Sequence, residues 1–158
     1  MKWHDFICTE AIVPELNSIE RDEVIRELVD SLIAAGAAPA DLRDTLIEQI
    51  LERETHGSTG FGKGVAVPHV KHEKIPNMVA TIGVSQTGVD FNALDKAPVY
   101  SIVLLLSPKD KPDEHLQAME NIFANLQKDQ FRRFLRQAST RQEIEELIQE
   151  ADAQQLTG

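Results

Sequence analysis

The sequence predicts an α/β protein, with a mixed β-sheet flanked by helices in a three-layer α/β/α sandwich. Apolar residues recur at helical spacing near both ends of the 158-residue chain, and segments rich in β-branched and apolar residues lie between them. One of these segments, Val99–Leu106, is apolar along nearly its whole length, as expected of a central strand that is covered on both faces. We therefore expect one domain over residues 1–153, followed by a frayed tail over residues 154–158.

The first part of the chain predicts a short strand and two helices. The strand is expected at Phe6–Thr9, and a helix is expected to begin near Asn17, which has the spacing of a capping box with Glu20. Gly36 is expected to end this helix, and Pro39 to begin the second one. Helical spacing predicts the buried faces: Val24, Ile25, Leu28, Val29, Leu32 and Ile33 in the first helix, and Leu42, Leu46, Ile47, Ile50 and Leu51 in the second.

The rest of the chain predicts strands followed by three helices. Residues 55–64 contain too much glycine for a helix or a strand, and Val65–Val67 is predicted to be a short strand that Pro68 ends. A turn is expected within Gly88–Leu94. The remaining predicted elements are strands at Met78–Ser85 and Val99–Leu106, a helix after Pro112, and two helices near Gln130–Gln137 and Thr140–Glu150.

Composition and charge exclude several classes of function. With 26 acidic residues, 16 basic ones and a net charge of −10, the chain lacks the surplus of Lys and Arg that nucleic-acid binding needs. Its single cysteine, Cys8, permits neither an internal disulfide nor a zinc site built from cysteines. No apolar stretch approaches the ~18 residues of a membrane span, and the N-terminus has no signal-peptide core. These features predict a soluble cytoplasmic protein with no nucleic-acid partner and no membrane insertion.

The charge is distributed unevenly along the chain. Residues 1–52 contain 4 basic and 12 acidic residues, whereas residues 53–74 contain 4 basic and 2 acidic ones. Three of the five histidines also lie in that second window, namely His56, His69 and His72. An acidic chain thus contains one small basic segment that is rich in glycine and histidine, and such a segment is a candidate site for an anion.

The glycine-rich part of this segment does not satisfy a nucleotide-binding motif. Residues 57–63 match the beginning of a Walker A loop, but Gly64 replaces the Ser or Thr that would hold magnesium. The predicted order of helix, loop and strand is also the reverse of the order in a P-loop. No carboxylate or cysteine completes a metal-binding set with His69 and His72, and the G-x-S-x-G elbow of serine hydrolases is absent. We therefore expect no cofactor and no metal. The glycines are instead expected to expose backbone N–H groups to an anion.

The run from Ser58 to His69, STGFGKGVAVPH, resembles the active-site motif of enzyme IIA domains of the fructose/mannitol class. These domains belong to the bacterial phosphoenolpyruvate-dependent sugar phosphotransferase system. The resemblance extends over residues 7–150, and the family's three-layer α/β/α fold agrees with the fold predicted above. It includes Ile12–Leu16, residues 23–29 and 51–54, Gly88–Phe91 with Leu94 and Asp95, Leu104–Pro108, and His115 with Leu116.

The resemblance implies a role for each residue of the site. It implies that His69 accepts a phosphoryl group and that Arg53, at the end of the preceding helix, holds the phosphoryl oxygens. It also places His115, at the start of a later helix, in the same site, where we expect it to position the phosphoryl group or orient His69. Val70 stands where the family commonly has glycine. The loop is expected to support phosphate binding through hydroxyl groups, backbone N–H groups and positive charge, at Ser58, Thr59, Gly60, Gly62, Lys63 and Gly64.

The resemblance leaves two functions open. In the first, the protein takes a phosphoryl group from the phosphocarrier protein HPr and passes it to a IIB component of a fructose-type sugar transport system. In the second, it is a free-standing regulatory protein of the nitrogen type, whose phosphorylation state controls binding to target proteins. Histidine suits both functions, because a pKa of about 6.5 leaves its ring mostly neutral and nucleophilic at neutral pH. The sequence identifies neither a sugar nor a downstream partner.

Overall fold

The computed structural model describes residues 1–153 as a mixed five-stranded sheet with helices on both faces. The strands are β1 (Gly60–Gly62), β2 (Val65–Ala66), β3 (His69–His72), β4 (Val79–Val89) and β5 (Val99–Pro108). The helices are α1 (Arg21–Ala34), α2 (Arg43–Thr55), α3 (Pro112–Leu126), α4 (Asp129–Gln137) and α5 (Arg141–Asp152). The predicted frayed tail, residues 154–158, lies outside the described residues. Within residues 1–153, no helix is long and apolar enough to cross a membrane.

Strand β5 is the centre of the sheet, as its apolar sequence predicts. Strand β4 pairs with it antiparallel along one edge, while β2 and β3 pair with it parallel, one after the other, along the opposite edge. Alternate β5 side chains enter two different cores. One core, shared with α1 and α2, contains Ile102, Leu104 and Leu106. The other, shared with α3, α4 and α5, contains Val103 and Leu105, so the prediction of a three-layer α/β/α sandwich is confirmed.

The predicted strand at Phe6–Thr9 is wrong in its extent. This segment runs parallel to the outer edge of β4, but it pairs there only through isolated bridges such as that between Ile7 and Ala80. A 3-10 turn over Thr9–Ala11 interrupts the pairing, because its residues bond locally instead of to the neighbouring strand. The N-terminal segment therefore covers the edge of β4 without forming a continuous sixth strand.

The predicted beginnings of the first two helices are too early. Helix α1 begins at Arg21, because the residue before it, Glu20, forms a parallel bridge with Asp90 at the sheet edge. The predicted capping box does not form at Asn17, whose backbone N–H instead donates to the Glu27 carboxylate at 3.1 Å. Helix α2 likewise begins only after a short 3-10 turn. The last three helices lie where the sequence predicts them.

The glycine-rich segment contains a strand that the sequence analysis missed. Gly60–Gly62 pairs antiparallel with β2 in a tight hairpin. Its turn residues, Lys63 and Gly64, have positive φ angles of 62° and 76°, the combination that a type I′ turn needs. Pro68 does not end the pairing with β5 either, because its carbonyl accepts the Leu105 N–H at 3.1 Å and β3 follows directly. The glycines thus form a hairpin, and the chain continues along the same edge of β5.

Candidate functional site

Two histidines face each other at the end of β5. His69 is the first residue of β3 and pairs with Leu105 of β5, whereas His115 lies in the first turn of α3. Their ring centroids are 5.5 Å apart and the ring planes are inclined by 49°. The structure therefore brings together the two histidines that the sequence analysis singled out from distant parts of the chain.

The hydrogen bonding of His69 defines its tautomer. Its Nδ1 atom lies 2.8 Å from the backbone carbonyl of Val67, and because a carbonyl can only accept, Nδ1 carries the proton. The Nε2 atom then keeps its lone pair. Burial lowers the pKa of His69 below its ordinary value; the Val67 hydrogen bond opposes this shift, and the charge of Arg53 adds to it. The ring is therefore neutral at neutral pH, with a nucleophilic Nε2.

His115 is held by a residue that the sequence analysis missed. Its Nδ1 atom lies 2.6 Å from the hydroxyl of Ser107, which is buried near the end of β5. His115 is itself only 9% exposed. Burial lowers the pKa of His115 to about 4, assisted by the charge that His69 carries when it is protonated and by the charge of Lys71. Burial, and not the position of His115 in the first turn of α3, is therefore the main cause of the lowered pKa. A serine at the end of an otherwise apolar strand is the signal that could have identified Ser107.

Acidification is expected to destabilise the folded protein through His115. The folded pKa is about 4 and the unfolded one about 6.5, so between these values the unfolded chain binds a proton that the folded chain does not. Stability is therefore lost as the pH falls through this window, by on the order of 2–3 kcal/mol, and not above it. Urea unfolding near neutral pH and near pH ~4.5 measures this loss.

The variant His115→Gln should lose less stability than the wild type between those two pH values. His56→Gln, which removes an exposed histidine, is the matched control and should follow the wild type. Equal losses in the wild type and in His115→Gln would contradict this pH dependence.

Arg53 connects the end of α2 to the glycine-rich segment. It lies in the last turn of that helix, and its Nη1 donates to the carbonyl of Gly57 at 2.8 Å. Its charge is one of those that act on the pKa of His69, so the guanidinium is within electrostatic range of that ring. A guanidinium has five N–H donors, and the bond to Gly57 therefore leaves donors for an anion.

A buried carboxylate, also missed by the sequence analysis as a site residue, organises the loop. Glu54 is only 3% exposed, and it accepts the Thr59 backbone N–H at 3.0 Å and the Thr59 hydroxyl at 2.7 Å. The Ser58 hydroxyl accepts the Gly60 N–H at 3.0 Å and donates to the Phe91 carbonyl at 3.3 Å. Both hydroxyl groups that were expected to support phosphate binding are thus engaged inside the loop, where they fix its shape.

The other residues of the loop form the β1–β2 hairpin. A Cβ atom on Gly60 would lie 3.0 Å from the Cβ and 3.2 Å from the Cα of Ala93, so any larger residue at this position would require Ala93 to shift. Lys63 lies in the turn between Gly62 and Gly64, and it lines a separate cleft. Arg53 and Glu54 thus lie within electrostatic range of His69, whereas Lys63 lies at the separate cleft.

The remaining residues of the basic segment have local roles. Val70 is part of β3, and its side chain packs against the core shared with α1 and α2, so this strand needs no glycine there. The ring of His56 bonds to the Glu52 carbonyl at 2.9 Å, and that of His72 accepts the Lys74 N–H at 2.9 Å. In the part of the chain that the structure describes, no cluster of three ligating side chains could hold a metal ion.

Comparison with known proteins identifies the family. Residues 5–151 match the sequence profile of a family described as "Phosphoenolpyruvate-dependent sugar phosphotransferase system, EIIA 2". The chain belongs to this EIIA family. The match spans nearly all of the described residues, and it confirms the family to which the loop motif points.

Curated relatives include transport and regulatory members of the EIIA family. The chain is 30% identical over 152 residues to the fructose-specific EIIABC component of Bacillus subtilis, covering 96% of this chain and 24% of that protein. It is 33% identical over 124 residues to a nitrogen regulatory protein of Pseudomonas aeruginosa, covering 78% of this chain and 80% of that protein. The chain thus spans about a quarter of the Bacillus protein but most of the Pseudomonas one.

A solved structure confirms the EIIA fold. The crystal structure of nitrogen regulatory protein IIA-Ntr from Neisseria meningitidis superimposes with a TM-score of 0.81 at 24% identity. The superposition covers 90% of this chain and 96% of that one.

Proposed function

We propose that this EIIA domain is a phosphoryl carrier that accepts a phosphoryl group on Nε2 of His69. The observation that carries the proposal is the histidine pair, in which the Nδ1–H of His69 bonds to Val67 at 2.8 Å and the second ring lies 5.5 Å away. The lowered pKa of His69 supports it, because a protonated Nε2 could not act as a nucleophile. Membership of a phosphotransferase family supports it independently.

In the proposed step, the Nε2 lone pair forms an N–P bond while the N–P bond of a donor phosphohistidine breaks. The electron pair of the broken bond stays on the donor nitrogen, and no proton has to move. The hydrogen bond from Nδ1 of His69 to the Val67 carbonyl stabilises the positive charge that develops on the accepting ring. Transfer of this kind depends mainly on alignment and on positive groups near the phosphoryl oxygens.

Arg53 and His115 are the proposed positioning groups for those oxygens. We assign the Ser107 hydroxyl as the donor in its 2.6 Å contact with Nδ1 of His115, which leaves the Nε2–H of His115 to donate to a phosphoryl oxygen. The guanidinium of Arg53 supplies positive charge and further donors. The loop supports the site through the shape that its internal hydrogen bonds fix, and Lys63 adds only long-range potential. The other loop residues proposed for this supporting role are Ser58, Thr59, Gly60, Gly62 and Gly64.

For partners, we propose a phosphorylated HPr-like carrier as donor and a IIB component as acceptor. The similarity to a fructose-specific transport protein supports this role. The similarity to a nitrogen regulatory protein, most of whose length the chain spans, supports the alternative in which phosphorylation controls binding to a regulatory target. Incubating the phosphorylated domain with a fructose-type IIB component separates the two, because only the transport role requires the group to move on to IIB.

The proposal is tested by mapping the phosphoryl group after incubation with phosphorylated HPr. One acid-labile group is expected, which mass spectrometry should locate on His69 and phosphorus NMR should place on Nε2. His72→Gln, which removes the histidine at the other end of β3, is the control and should accept the same amount. A wild type that stays unlabelled, or that carries the group on another residue, would refute the proposal.

A further inference from the structure

We propose that a second cleft, between the β1–β2 hairpin and α4, binds a small organic molecule with at least two negative charges. The cleft has a volume of about 650 Å³, which lies in the range of small-molecule sites. Its walls come from the hairpin turn, the beginning of β5 and one face of α4. Phosphate esters and polycarboxylates both have the required chemistry. The inference does not depend on the proposed function of the histidine pair.

Positive charge is concentrated in this cleft. The chain has a net charge of −10, so its overall electrostatic potential is negative. A cleft with more cations than carboxylates has a positive local potential instead, and this potential attracts anions. A concave shape also favours a small ligand over a protein surface, which would present a flatter area. The cations that line it are Lys63, Arg132, Arg133 and Arg136, and the carboxylates are Asp95 and Asp129.

Most of these cations are not neutralised by the protein itself. Arg132 pairs with Asp129 and also donates to the Leu126 carbonyl at 2.8 Å. Within residues 1–153, by contrast, neither Lys63 nor the other two arginines of the cleft form an ion pair with a carboxylate. Elsewhere in residues 1–153, three of the five other arginines form such a pair, namely Arg21, Arg26 and Arg43. The cleft therefore retains cationic groups that a bound anion could neutralise.

One of these groups, Arg136, is held in place before a ligand arrives. The guanidinium of Arg136 lies over the ring of Tyr100, 3.5 Å from its centroid, and this stacking leaves its N–H donors free of the ring face. Lys63 lies in the left-handed region, with a φ angle of 62°, at a turn position where Asn or Gly is preferred. A lysine kept in an unfavourable backbone conformation indicates a use for its side chain.

The cleft is separate from the histidine pair. Ser101 lines the cleft and pairs with Val65, whereas Leu105, farther along the same strand, pairs with His69. The distance along an extended strand from Ser101 to Leu105 is about 13 Å. A ligand in the cleft would therefore contact the back of the β1–β2 hairpin and not the phosphoryl acceptor.

A backbone-amide NMR titration of the full chain tests the inference. The probes are pyrophosphate, glucose 6-phosphate and citrate, each raised to about 10 mM. At least one should give saturable shifts at Lys63, Gly64, Tyr100 and Arg136, with a Kd below about 1 mM that rises when salt is added. Tighter binding of glucose 6-phosphate than of citrate would identify phosphate esters as the source, and the reverse order polycarboxylates.

Matched variants make the test specific. Arg133→Gln combined with Arg136→Gln, and separately Lys63→Gln on the opposite wall, should each weaken binding by about tenfold or more. Arg141→Gln removes an exposed arginine of α5 and should have no effect, and circular dichroism verifies that every variant is folded. The inference is overturned if no probe saturates, if the cleft variants bind as tightly as the wild type, if the shifts centre on His69, or if only an oligoglutamate peptide binds.

Discussion

The variant His69→Gln is expected to lose phosphoryl acceptance, with the rate of labelling by phosphorylated HPr falling by at least about 10⁴-fold. Glutamine offers no nucleophilic lone pair, because the electrons of its amide nitrogen are delocalised. The substitution is mild for the fold, since His69 is half-buried and a glutamine amide can still donate to the Val67 carbonyl. Quench-flow labelling measures the rate, and urea unfolding verifies stability.

His115→Gln is the matched comparison for this result. It changes the same kind of residue in the same site, 5.5 Å from the first ring, but it leaves the nucleophile in place. Labelling should therefore continue on His69, slower by about 10²–10³-fold because a positioned donor is lost. If His69→Gln were labelled as fast as His115→Gln, His69 would not be the acceptor.

The variant Glu54→Ala is expected to lose much of its stability and to accept the phosphoryl group more slowly. It leaves the half-buried N–H and hydroxyl of Thr59 without the carboxylate oxygens that now accept from them at 3.0 Å and 2.7 Å. The free energy of unfolding should fall by about 2–3 kcal/mol. Because the same hydrogen bonds fix the loop before His69, we also expect labelling to slow by about 10–100-fold.

Glu52→Ala serves as the control for this second variant. It removes the same charge from the same helix at an exposed position, so both stability and labelling rate should stay close to those of the wild type. Glu54→Gln should lie in between, because one amide oxygen can still accept from Thr59. Equal losses in Glu52→Ala and Glu54→Ala would show that charge, and not the buried hydrogen bonds, is what matters.

The layered fold could be predicted because its causes are local in sequence. The apolar run at Val99–Leu106 and the apolar residues at helical spacing predict which side chains are buried. The structure confirms these predictions in β5 and in the two cores. The missed features depend on distant partners. Glycine has no strand propensity, so β1 becomes a strand only because β2 pairs with it. The bridge between Glu20 and Asp90, which delays α1, joins segments far apart in the chain.

The same distinction applies to the site. The loop motif and a histidine at a predicted helix start were sufficient to select His69 and His115, which the structure places side by side. Ser107 and Glu54 were not selected as site residues, because a serine or glutamate reveals its hydrogen-bond partner only after folding. Lys63 was selected from its position in the motif, but the turn conformation places it in the second cleft.

Strand β5 positions both rings of the histidine pair. Leu105 pairs with His69, and Ser107, two residues further, holds His115. The gap between the rings is thus set by the central strand of the sheet and not by a loop, and widening it would require disrupting the pairing of β3 with that buried strand. We therefore expect the phosphorylated and unphosphorylated forms to share one backbone. Any partner that distinguishes them must then sense the added charge itself, which makes such discrimination immediate, reversible and sensitive to ionic strength.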